Sequence, residues 1–189
     1  MSIEKDTLFP EVMHEMQKTR PWAILAAGAA IQVLTGLPAA WGVFQRPVME
    51  EYGLSEQGAG YAFGILIAAF GVGCVLGGFL QDSRGPRCAA LWGTALLCGG
   101  FFAAAMLPGG SAGSFFLAFS IPAGLGTAFL YPSIQSCAQK WYAGRKGLAT
   151  GVIGGAVGLS GAFLTVFVRT AVSGFGIVQG IRGAFWALG

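Results

Sequence analysis

The chain has 189 residues, 54% of them hydrophobic and only 10% charged, with a formal net charge of +3. Soluble domains carry about 25% charged residues, so this chain has too little charge to coat a water-exposed surface, and its small positive balance gives no basis for binding nucleic acid. The 32 glycines lack the three-residue period of collagen and suit helices that pack closely in lipid.

The first 20 residues mix acids (Glu4, Asp6, Glu11, Glu15) with bases (Lys5, Lys18, Arg20). That mixture is not a secretory leader. Residues 1–20 read as a cytoplasmic tail. Phe9, Val12, Met13 and Met16 recur at helical spacing, which leaves a short interfacial helix open as an alternative to an unordered tail.

Beyond the tail, the charge-free stretches define the elements. Residues 21–45 and 57–81 carry no charge, nor do 88–139 and 147–168. A helix needs about 20 apolar residues to cross a bilayer core. The third stretch is long enough for two crossings, and the turn-forming run Pro108-Gly-Gly-Ser-Ala-Gly-Ser114 divides it. Five spans are expected, at about 22–45, 57–80, 88–107, 113–136 and 147–168, within a bundle over 21–189. A sixth span starts near Gly183. Backbone groups in lipid must be satisfied within the segment, which selects helices. The alternating polarity of a membrane strand is absent. The expected fold class is an all-α membrane protein.

Lysine and arginine set the orientation. With the N-terminus cytoplasmic, Lys5, Lys18, Arg20, Arg84, Arg87, Lys140, Arg145 and Lys146 lie inside. Only Arg46, Arg169 and Arg182 lie outside, with the acids Glu50, Glu51 and Glu56 in the first outer loop.

Few residues offer chemistry. Cys74, Cys88, Cys98 and Cys137 form no CxxC pair, and His14 is the only histidine. Neither a disulfide framework nor a metal site is expected; the cysteines read as small packing residues. Gly71-Val-Gly73-Cys-Val-Leu-Gly77 lies inside an uncharged span with no strand before it, so it is no nucleotide loop. No catalytic set and no cofactor are expected.

Polar residues collect on helix faces. Gln32, Thr35 and Ala39 share a face of helix 1. Ser120, Gly124, Thr127, Tyr131 and Gln135 share one of helix 4, and Thr150, Gly154, Gly161 and Thr165 one of helix 5. Such faces suit a wet cavity, although serine and threonine also bond their own helix backbone. Gly60, Gly64, Gly73 and Gly77 in helix 2, and Gly147, Gly151, Gly155 and Gly158 in helix 5, are read as helix-packing positions. Pro38, Pro122 and Pro132 are expected to bend helices 1 and 4. No charge is buried within the five spans.

Two polar loops carry a resemblance. The first contains Gly78, Asp82, Arg84, Gly85 and Arg87 and resembles the G-x-x-x-D-R-x-G-R-R loop of the major facilitator superfamily. Ser83 stands where that family has arginine, and Arg84 follows one place later. The second contains Lys140, Trp141, Arg145 and Lys146, followed by Gly147-Leu-Ala-Thr-Gly151. It is similar to a segment of the oxalate:formate antiporter and monocarboxylate porter branch. Ala40-Trp41-Gly-Val-Phe44, Glu51-Tyr-Gly-Leu-Ser55 and Arg182-Gly-Ala-Phe185 resemble the same branch.

The resemblance implies the N-terminal six-helix half of a two-half carrier, with helices 1, 2, 4 and 5 lining a central cavity. It makes Gln32, Thr35, Trp41, Thr127, Tyr131 and Gln135 the cavity candidates. It makes Gly78, Asp82, Arg84, Gly85 and Arg87 a conformational latch. The implied activity is secondary transport of small organic anions such as oxalate, formate or a monocarboxylate, in the plasma (cell inner) membrane. The implied partners are lipid, the organic anion and a second six-helix half. A sugar or drug carrier, or a half-size membrane protein that associates without transporting, are the alternatives.

Overall fold

The computed structural model describes residues 21–108 and 112–175. These form helices α1 (Pro21–Thr35), α2 (Leu37–Tyr52), α3 (Glu56–Arg84), α4 (Pro86–Met106), α5 (Ala112–Phe115), α6 (Ile121–Trp141) and α7 (Lys146–Phe175), with no strand among the described residues. They make five apolar spans: Pro21–Tyr52, Glu56–Arg84, Pro86–Met106, Ala112–Trp141 and Ala143–Thr170. The shortest has 21 residues, about 32 Å at 1.5 Å per residue, which matches a bilayer core. The protein is therefore an all-α membrane bundle. The tail over 1–20 and the sixth span near 183 lie outside the described residues.

Span 1 differs from the single helix expected over 22–45. It runs on to Tyr52 and is interrupted at Gly36. The break falls just ahead of the proline in the first turn of α2, whose missing N–H is tolerated there. α2 ends at Gly53, with φ of 64°, the left-handed conformation glycine adopts most readily. The Ser55 hydroxyl then accepts from the Gly58 N–H at 3.1 Å and caps α3.

Span 4 joins α5 to α6 through a π turn, Phe116–Ser120. The Ile121 N–H bonds the Phe116 carbonyl, five residues back. Pro122 follows at once and brings no N–H, so the wider turn absorbs the lost donor. Pro132 sits inside the continuous α6.

Span 4 is the hub. Over its apolar 18-residue stretch 56% is buried, against 22% for the corresponding stretch of span 2. It packs on spans 2 and 3, while span 1 packs mainly on span 5. Glycine permits the closest approaches. A Cβ at Gly126 would lie 2.7 Å from the Gly93 carbonyl oxygen and the Leu97 nitrogen of span 3. One at Gly73 would lie 2.6 Å from Ala128 Cβ, and one at Gly77 would lie 2.9 Å from Phe129.

The other glycines expected to pack do not. Gly60 and Gly64 in span 2, and Gly147, Gly151, Gly155 and Gly158 in span 5, have nothing within 4 Å of an added Cβ. Regular spacing places glycines on one face of a helix, but it does not say whether another helix of the same bundle covers that face.

An aromatic core fills one end. Tyr52 lies 4.6 Å from Phe115, Phe115 lies 5.1 Å from Phe119, and Phe101 meets Phe119 edge-on at 5.4 Å. The buried Tyr52 hydroxyl donates to the Ala104 carbonyl at 2.7 Å, tying span 1 to span 3. Outside, Val75, Phe79, Leu91, Leu117 and Val166 are largely exposed, as side chains facing acyl chains are.

Candidate functional site

Four spans line a half-open cavity of about 240 Å³. Its walls are Gln32 and Gly36 from span 1, Ile67 and Phe70 from span 2, Thr127 and Tyr131 from span 4, and Gly154 and Val157 from span 5. Gln32 lies 11 residues into α1 and Tyr131 lies 10 residues before the end of α6. At 1.5 Å per residue both sit about 15–17 Å from the same end of the bundle, near mid-membrane.

Gln32 is the most constrained polar group there. It is 1% exposed. Thr35 Oγ1 lies 3.1 Å from its Oε1 and donates to the Ile31 carbonyl at 2.9 Å. The Gln32 Nε2 has no hydrogen-bond partner. An unpaired buried donor costs about 1–3 kcal/mol, so this amide calls for a partner from outside the chain, a water or a solute.

The remaining candidates divide. Thr127 lines the cavity, but its hydroxyl donates to the Ala123 carbonyl of its own helix at 2.8 Å. The Tyr131 hydroxyl makes no hydrogen bond among the described residues. Gln135, one turn further along α6, has a buried Oε1 without a partner. Thr35 holds Gln32 instead of lining the wall. Trp41 is not at the cavity: it is 6% exposed and stacks on Phe63 at 6.0 Å and Phe119 at 6.4 Å, within the aromatic core. Gly124, expected on the polar face, packs against Leu66, Ala69 and Phe70 of span 2.

Sequence reading missed Gly36, Ile67, Phe70 and Val157. Apolar residues and a single glycine carry no periodic polar signal, and their place in the wall depends on helix rotation. It also missed Ser160, which is fully buried and donates to the Gly36 carbonyl at 2.9 Å.

The two polar loops lie together at one end. Gly85 alone connects α3 to α4, with φ of 88° and ψ of 162°, a region essentially reserved for glycine. Its N–H bonds the Gln81 carbonyl at 2.9 Å. Asp82, Arg84 and Arg87 are exposed, while Gly78 sits one turn before Asp82 with open space beside it. Ser83, standing at the arginine position, donates to the Phe79 carbonyl of its own helix at 2.8 Å. Asp82 forms no ion pair among the described residues.

The 4–5 loop is a single tight turn. Tyr142 closes α6 on the Ala138 carbonyl, and Ala143–Arg145 form a 3-10 turn into α7. Lys140, Arg145 and Lys146 are exposed, and Trp141 is half-buried. Tyr142 packs beside Leu25, Ala138, Ala149 and Ile153. All four cysteines are free thiols. No cluster among the described residues could hold a metal ion.

Membrane-length helices around a mainly apolar pocket that carries Gln32, Thr127 and Tyr131 make this a multi-pass membrane protein. The Major Facilitator Superfamily model matches residues 23–189, and the chain belongs to that superfamily. It is 30% identical over 167 residues to an "Uncharacterized 38 kDa protein in 23S RNA operon" from Thermoproteus tenax. That match covers 85% of this chain and 44% of the relative. It is 23% identical over 157 residues to the oxalate:formate antiporter of Oxalobacter formigenes, covering 83% of this chain and 36% of the antiporter. The chain thus spans less than half the length of these curated relatives.

Proposed function

We propose that this chain forms the N-terminal half of a secondary transporter that moves small organic anions by alternating access. The observation carrying this reading is the partnerless Gln32 Nε2, buried at mid-membrane beside Tyr131. An amide N–H and a phenol O–H donate to a carboxylate without carrying a charge through the bilayer. The antiporter relative supports the anion class. Gln32, Thr127 and Tyr131 contact the substrate, with Thr35 and Gln135 in support.

A second six-helix half completes the carrier in this proposal. The uncovered glycine face of span 5, Gly147, Gly151, Gly155 and Gly158, supports that partner, because helices in lipid associate through small residues. Asp82, Arg84 and Arg87 form the latch, which opens and closes as the halves rock. The five exposed cations of the two loops support a cytoplasmic N-terminus in the cell membrane.

The test is counterflow. Proteoliposomes holding this chain together with its second half, loaded with unlabelled oxalate, should accumulate labelled oxalate or formate, saturably, and Gln32→Ala should reduce uptake at least tenfold. Uptake of a labelled sugar with no carboxylate flux would replace the anion class. Binding without flux of any solute would leave a membrane association module.

A further inference from the structure

Arg46 and Arg169 come from different spans yet line one open groove of about 640 Å³. By charge counting they are stray outer-loop cations. The fold instead sets them together, with Gly42, Val43, Pro47 and Val168 as the walls. Arg169 lies 23 residues beyond the start of α7, about 35 Å along its axis. The groove is therefore at the end of the bundle opposite Gly85 and Arg145, separate from the Gln32 cavity.

We infer that Arg46 and Arg169 form an oxyanion-binding site at this mouth, for a small dicarboxylate or a phosphate-like group. Both side chains are exposed, and neither makes an ion pair among the described residues. Glu50 lies one turn from Arg46 on the same helix, is exposed, and forms no ion pair among the described residues. Two guanidinium groups on the lining of one groove are both available to an anion that enters it. Each has a planar fork of donors that matches a carboxylate or phosphate edge. Gly42 lines the groove against open space, with nothing within 4 Å of an added Cβ, so a larger side chain there has room to project into it.

The carboxylate as free ligand rests on the proposed function; the oxyanion chemistry does not. The experiment is equilibrium binding of oxalate, inorganic sulfate and the neutral isostere oxamide to the full chain in nanodiscs of zwitterionic lipid. Oxalate and sulfate should bind and oxamide should not. Arg46→Gln and Arg169→Gln should each weaken binding about tenfold, and Gly42→Leu should do so with both charges kept. Anion affinity unchanged in the two arginine variants and in Gly42→Leu would overturn the site.

A second set of nanodiscs containing phosphatidylglycerol separates the sources. Lipid that blocks oxalate, and is retained by the native protein but not by the double variant, makes a headgroup the ligand. Oxalate affinity indifferent to that lipid makes it a free anion. Arginine-dependent binding without carboxylate uptake keeps the site and removes the carrier reading. Uptake that is unaltered in the double variant at low substrate concentration does the reverse.

Discussion

The Ser160 hydroxyl of span 5 donates to the Gly36 carbonyl of span 1 at 2.9 Å, at the residue where span 1 is interrupted. It also lies 2.6 Å from the Val157 carbonyl of its own helix. One proton thus serves two carbonyls, and the broken helix is held against its neighbour. Gly36 and Val157 are both cavity walls, so this contact sets the shape of the candidate site.

Gly36→Ala should be poorly tolerated, because its Cβ would overlap the Ser160 side chain. Overpacking of this kind costs about 1–3 kcal/mol. Thermal unfolding in detergent should show a clear drop for Gly36→Ala and partial recovery when Ser160→Gly is added. A double variant no better than Gly36→Ala alone would show that the overlap is not the cause.

Gly126→Ala should destabilise the bundle by a similar amount, since the methyl would press on the span 3 backbone at 2.7 Å. Gly151→Ala should leave unfolding within about 0.5 kcal/mol, because open space surrounds that position. Parallel melting curves compare the two. Equal losses would mean the span 5 glycines pack within the bundle after all.

Gln32→Leu separates stability from recognition. It removes the partnerless Nε2, so stability should hold or rise by about 1 kcal/mol. Substrate binding should fall at least tenfold if that donor serves a ligand. Paired melting and binding measurements decide it. A variant that binds normally would assign the buried amide to structure alone.

Gly85→Ala forces a side chain into φ of 88° and ψ of 162°, at a cost of about 1–3 kcal/mol. Gly144→Ala, in the other loop at the same end, has open space beside it and serves as control. The yield of monodisperse protein on size exclusion should fall for Gly85→Ala only. Equal yields would show that the α3–α4 link relaxes freely.

The all-helical membrane class was legible in the sequence, because the bilayer imposes a length and an absence of charge that can be read directly. The one-residue link at Gly85 and the cap at Ser55 were not read: the expected spans 57–80 and 88–107 left a longer loop between them, whereas the helices run on to Arg84 and start again at Pro86. Gln32, Thr127 and Tyr131 meet at one cavity because polar residues on a helix face are a periodic signal. Trp41 resembled a cavity residue by position, yet joined the aromatic core, since rotation about span 1 is decided by what packs on it.

What the sequence determined by itself was therefore one-dimensional: which segments cross, where they turn, and which faces are polar. Tertiary structure alone decided which faces meet. Spans 1 and 5 are distant in sequence, and their mutual register comes from side-chain packing, with no local pattern to announce it. That packing joins Ser160 to Gly36, places Arg46 and Arg169 on one groove, and leaves the Gly147–Gly158 face uncovered while burying Gly126.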